Sequence, residues 1–74
     1  MEKNWIKIAT YSNALEVEIV RQMLEVNEIA AVVINKQDSS YLFGKIELYV
    51  AEQDVLTAKQ LIEQEGDNLT PNSL

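Results

Sequence analysis

Lys45-Ile46-Glu47-Leu48-Tyr49-Val50 alternates strictly between aliphatic and polar or aromatic side chains, the period of a strand with one face on a core and the other open. Ile46, Leu48 and Val50 point inward on this reading, and Glu47 and Tyr49 point outward. Everything else in the chain is placed by what flanks this strand.

Upstream, Asn35 to Gly44 is a polar break rich in Asp, Ser and Gly. Before it, Ile29-Ala30-Ala31-Val32-Val33-Ile34 is a run of small and β-branched residues, too short for an independent helix and apolar on both faces. It reads as the preceding strand. From Ala14 to about Asn27 the spacing is helical: Val17, Val20 and Leu24 make one stripe, and Glu18, Arg21, Gln22, Glu25 and Glu28 the wet side. Arg21 and Glu25 stand at i,i+4 spacing, where an ion pair forms across one turn. Leu15, Ile19, Met23 and Val26 add a second stripe, so the apolar arc is wider than one sheet face needs; contact with the second helix or with another subunit would account for it. Asn13, with Glu16 three residues later, marks the start of this helix. The chain opens on Trp5-Ile6-Lys7-Ile8-Ala9-Thr10-Tyr11, which alternates with Ile6, Ile8 and Thr10 on one side and Trp5, Lys7 and Ala9 on the other.

Downstream, Glu52-Gln53-Asp54 puts acid in the first turn of a second helix, whose buried stripe is Val55, Ala58, Leu61 and Ile62. Gly66 reads as its stop. The expected organisation is one domain over residues 1–66 and a flexible tail over 67–74 without periodicity.

These elements order as β-α-β-β-α. A helix between the first two strands makes them parallel, whereas the polar segment lets the third return antiparallel, so the simplest sheet order is 1-3-2. Both helices then cover one face of a two-layer α+β sandwich, and Lys7 and Glu47 meet on the open face as an opposite-charge pair. This is the ferredoxin-like plan with its fourth strand missing or reduced. The first strand is left with a free edge that the tail, another subunit or a partner's strand could cover. The open face carries Trp5 and Tyr49, with Val33 or Val32 according to register. Trp5, Lys7, Val33, Glu47 and Tyr49 are the candidate oligomer interface, and a homo-oligomer is favoured over a monomer covered by its own tail.

Composition narrows the functions. Without cysteine or histidine there is no disulfide framework, no zinc site of those ligands and no Cys/His nucleophile. A net charge of −6 repels a phosphate backbone, and the six basic residues are scattered, which argues against nucleic acid. The N-terminus has no apolar signal region, and no apolar run approaches the roughly 18–20 residues of a membrane span. The expectation is a cytoplasmic protein with no membrane contact, no metal and no cofactor. The acids fall on solvated helix faces without a shared cation site, so an enzyme is only a remote alternative.

The sequence resembles a bacterial family of unknown function catalogued as prokaryotic signal-transducing proteins, with a PII-like, ferredoxin-like fold. The resemblance runs from about Trp5 to Glu63. It is carried by the opening Trp strand, Glu16-Val17-Glu18-Ile19-Val20, Leu24-Glu25-Val26-Asn27-Glu28-Ile29, the segment Asn35-Lys36-Gln37-Asp38-Ser39-Ser40-Tyr41, Ile46-Glu47-Leu48-Tyr49-Val50, and Ala58 before Leu61-Ile62. Family members commonly carry Gly before the isoleucine of the second strand; here Glu28 stands there, and Gly would supply a left-handed residue at lower strain. The resemblance implies a fold more than an activity. In PII regulators the segment between the second and third strands contacts partners and trimers pack their sheets inward. Here the segment is shorter, and no nucleotide-binding residues carry over.

The connection itself holds the candidate binding residues Asn35, Lys36, Gln37, Asp38, Ser39, Ser40, Tyr41 and Gly44, beside Leu42 and Phe43. A plain hairpin needs about 2–5 residues, so the extra length asks for a reason. Lys36 with Ser39 and Ser40 could cup a small anion, and Tyr41 with Phe43 could flank a ring or peptide; alternatively, Asp38 and the serines cap their own backbone in tight turns. The functional expectation is a small non-catalytic regulatory or signal-transduction-like module, using this loop to bind an unknown protein or small molecule. The alternative is an interaction adaptor acting through the open sheet face or strand edge.

Overall fold

The computed structural model describes residues 4–37 and 45–69, the side chains of 66–69 excepted. Strand β1 spans Trp5–Tyr11, helix α1 Ala14–Val26, strand β2 Ala31–Asn35 and strand β3 Ile46–Ala51; a 3-10 turn over Glu52–Asp54 leads into helix α2, Val55–Leu69. The three strands form one sheet in the order β1-β3-β2, with β3 antiparallel to both neighbours. This is the α+β layout, consistent with a small ferredoxin-like fold, that the connection lengths predict.

The alternation in β3 turns directly into burial. Ile46, Leu48 and Val50 have no exposed surface and pack with Val17, Val20 and Leu24 of α1, Ile29, and Ala58 of α2 into the core. Fully burying each such aliphatic side chain is worth about 1.5–3 kcal/mol, so this central row anchors both layers. Both helices lie on that side, leaving the opposite face of the sheet uncovered by any described element.

Helix α1 begins where Asn13, in extended conformation, accepts the N–H groups of Leu15 at 2.8 Å and Glu16 at 3.2 Å on its Oδ1. It ends in two backbone bonds, Glu28 N–H to Glu25 C=O and Ile29 N–H to Leu24 C=O, both 2.9 Å. That is the Schellman arrangement, with Ile29 packed in the same cluster as Leu24. It requires a left-handed residue between, and Glu28 takes that conformation at φ 67° although it is not glycine. The burial of Ile29 and the two capping bonds outweigh the strain.

Three readings of the sequence are corrected. The pairing of β1 with β3 shifts between Lys7 and Ala9, so that Lys7 is opposite Tyr49, Ala9 opposite Leu48, Thr10 opposite Glu47 and Tyr11 opposite Ile46. This β-bulge reverses the phase of the strand. Thr10 lies on the open face rather than the inner one, while Ile8 and Tyr11 pack against the core. Second, α2 continues through Gly66 to Leu69, so Gly66 does not stop it. Third, the second stripe of α1 is not absorbed by α2: Leu15, Ile19 and Val26 are exposed, and only Met23 reaches the core. The rest of the expected tail, 70–74, lies outside the described residues.

Candidate functional site

The open face is built in rows across the sheet. Lys7, Tyr49 and Val32 form one row, and Thr10, Glu47 and Ile34 the next. Beyond them the N–H of Lys36 donates to the carbonyl of Lys45 at 2.9 Å, extending the β2–β3 ladder one step.

Glu47 is the centre of this surface. Its side chain is only 10% exposed although no helix covers it, because longer side chains fold over it. Tyr49 donates its hydroxyl to Oε1 at 2.7 Å, Lys36 Nζ lies 3.3 Å from the same oxygen, and Lys7 Nζ lies 3.4 Å from Oε2. The lysine side chains themselves remain well exposed. The Tyr49 hydroxyl, then the hydrogen bond and charge of Lys36 and the charge of Lys7, hold the Glu47 carboxyl below the usual range against the opposing effect of burial. The same bond, with burial and the carboxylate's charge, pushes the Tyr49 phenol up. Glu47 is therefore held in its charged form by its pairing with Tyr49, Lys36 and Lys7.

Beside it, Lys7, Ile8, Ala9, Thr10, Lys45 and Glu47 line a wide, shallow groove of about 420 Å³. The bulge brings Thr10 into this groove, which the unbroken period of two could not foresee. Lys7 and Lys36 pair with Glu47 and Lys45 lines the groove beside it, so three of the six basic residues of an acidic chain share this surface. The helical side carries the opposite balance: Glu18 and Glu25 share Arg21, whose Nη1 lies 2.6 Å from Glu25, and Glu16 stands nearby on the same helix. The Arg21 bond and that of Gln22 hold Glu18 below the usual carboxylate range.

The predicted binding residues divide. Asn35 accepts the N–H of Gln37 on Oδ1 at 2.8 Å, a tight Asx turn, and Gln37 donates its side-chain amide to the carbonyl of Ser12 at 2.9 Å. Both are used in shaping the connection. Lys36 instead joins the open face through Glu47. Asp38, Ser39, Ser40, Tyr41 and Gly44 lie outside the described residues. Of the predicted interface residues, Lys7, Glu47 and Tyr49 form one network, as the Lys7–Glu47 pairing anticipated, and Trp5 is 40% exposed at the end of the face. Val33 is opposite Leu48 and packs on the core. The register thus assigns the open face to Val32, and with it Ile34, which sequence reading passed over; they are 38% and 42% exposed. The missing signal was parity with Glu47, available only once strand pairing is known. Among the described residues, no group of three or more Asp and Glu side chains converges as a metal site would require, and no helix is long and apolar enough to cross a membrane.

The chain belongs to the family described as "putative prokaryotic signal transducing protein", which matches residues 5–66. Among curated proteins and among solved structures nothing matches it.

Proposed function

We propose that this member of the family is a non-catalytic signal-transduction module that works by protein–protein association through the open face of its sheet. The observation that carries the reading is the make-up of that face: Trp5, Val32 and Ile34 stay substantially exposed around the Glu47 network, on a chain too small to leave such surface wet without a use for it. Aromatic and aliphatic side chains surrounding satisfied charges are the composition of an association surface. Lys36 enters the same reading at the rim of this face, tied to it by its pair with Glu47. Loss of binding on joint substitution of Lys36, Asp38 and Tyr41, with folding intact, would assign the connection between β2 and β3 a direct part.

The test is a photo-crosslinking residue placed at Ile34, with a control at the exposed α2 position Gln60, in the full chain inside its native cell. A discrete protein adduct from position 34, and none from 60, is expected. Equal adducts from both positions, or none from 34, would overturn the reading.

A further inference from the structure

We infer that the open sheet face of one copy docks on the outer stripe of α1 of a second copy, so that the chain assembles head to tail. The inference rests on the reading of that face as an association surface and names its occupant.

Two uncovered surfaces carry it. In α1 each residue turns by about 100°, which sets Leu15, Ile19 and Val26 on the side opposite Val17, Val20 and Leu24. The first three are 69%, 43% and 83% exposed, and the second three are buried. The stripe therefore lies on the outermost side of the helical layer, directly away from the sheet. The second surface, the open sheet face, lies on the other side of the molecule.

The two fit in charge and in length. Glu18, Gln22 and Glu25 border the α1 stripe on one side and Glu16 on the other, with Arg21 the only cation on that helix. Among the described residues the sheet face presents Lys7, Lys36 and Lys45 around the exposed Trp5, Val32 and Ile34, with Glu47 as its carboxylate. Apolar surface meets apolar surface while acidic borders meet lysines, the complementarity that fixes partner choice and register. From Leu15 to Val26 the helix rises about 16 Å, and the extended chain from Lys45 through the end of β3 at Ala51 runs about 20 Å, so the stripe can lie along the sheet. Packing two sheet faces together would instead bring three lysines of one copy against three of the other, a like-charge contact that disfavours the twofold arrangement.

Because the two surfaces differ, the contact is heterologous: every copy offers both, and assembly proceeds to rings or open stacks rather than stopping at a dimer. That geometry supplies its own test. Ile34→Glu removes the sheet surface, and Leu15→Lys with Val26→Lys removes the helix surface; circular dichroism checks folding. By native mass measurement and sedimentation over rising concentration, the wild-type chain is expected to give a series beyond the dimer. Each variant alone should stay monomeric, and their equimolar mixture should form a one-to-one pair and nothing larger, since one intact interface remains between them. If Ile34→Glu fails to fold, the helix variant decides alone, because its substitutions fall at exposed helical positions. A helix variant that still dimerises would show sheet-to-sheet packing and overturn the inference. So would a wild-type monomer throughout, or a mixture with no pair. A wild-type monomer that still gives the position-34 adduct with another protein would sink the head-to-tail contact and leave the proposed function standing.

Discussion

The hydroxyl of Tyr49 donates to Oε1 of Glu47 at 2.7 Å, from two positions along on the same strand and the same face. This bond turns a carboxylate in mid-sheet into a fixed structural charge, with Lys7 and Lys36 completing its surroundings. Removing the hydroxyl should therefore be felt first by the titration of Glu47. In Tyr49→Phe the carboxyl is expected to titrate at higher pH than in the wild type, read by carbon NMR of the side-chain carboxyl. The sign for stability follows. A carboxyl held below its ordinary value in the folded chain contributes stability that is present above about pH 4.5 and is lost as pH falls through the folded value. Tyr49→Phe should lose part of that contribution at neutral pH and show a weaker dependence on acid. At the alkaline end the raised phenol acts in the other sense: its contribution is complete below about pH 10 and fades as pH rises through the folded value. The variant lacks that decline. An unchanged Glu47 titration would show that the lysines alone hold the carboxylate.

Glu28 carries backbone strain for the sake of Ile29. A non-glycine residue in the left-handed region costs about 1–2 kcal/mol, and glycine returns part of the difference through its freer unfolded chain. Glu28→Gly is thus expected to stabilise the domain by about 0.5–1 kcal/mol, seen as a higher urea midpoint with unchanged slope. A loss of stability would mean that the Glu28 side chain makes a contribution larger than the strain.

At the other end of α1, Asn13 satisfies two N–H groups that would otherwise have no partner in the helix. Asn13→Ala should cost about 1 kcal/mol, whereas Asn13→Asp, which keeps the acceptor and adds a charge favourable to a helix N-terminus, should cost little or nothing. Equal losses from the two would place the effect in the side chain's packing instead of its capping. Thermal unfolding of the two variants under one condition compares them directly.

How much could be read beforehand depended on what each feature is made of. The central strand was legible because Ile46, Leu48 and Val50 alternate without interruption, and order 1-3-2 followed from the lengths of the connections. The Asn13 cap and the Arg21–Glu25 pair were legible because they are local, within one turn of helix. Thr10 was misplaced because a bulge is a property of two strands in register, invisible in the composition of one. Ile34 and the Lys36–Glu47 pair were missed for the same reason: both depend on which residues of β2 and β3 stand opposite. Glu28 was legible as a departure from the resembled family, but not as a residue able to hold the turn, since what holds it is the burial of Ile29 against Leu24. The rows of the sheet face were thus beyond the reading of any one strand, because long-range pairing assembles them.

The end of α2 offers a final test, because the two readings of Gly66 give opposite signs. A glycine that closes a helix does so in the left-handed region, where alanine is strained and the substitution destabilises. Gly66 instead lies within the helical span Val55–Leu69, where glycine costs up to about 1 kcal/mol relative to alanine. Gly66→Ala is expected to raise stability by about 0.5 kcal/mol, below the full value because the last turns of a helix fray. It should also strengthen helical circular dichroism. A drop in both would restore Gly66 as the stop.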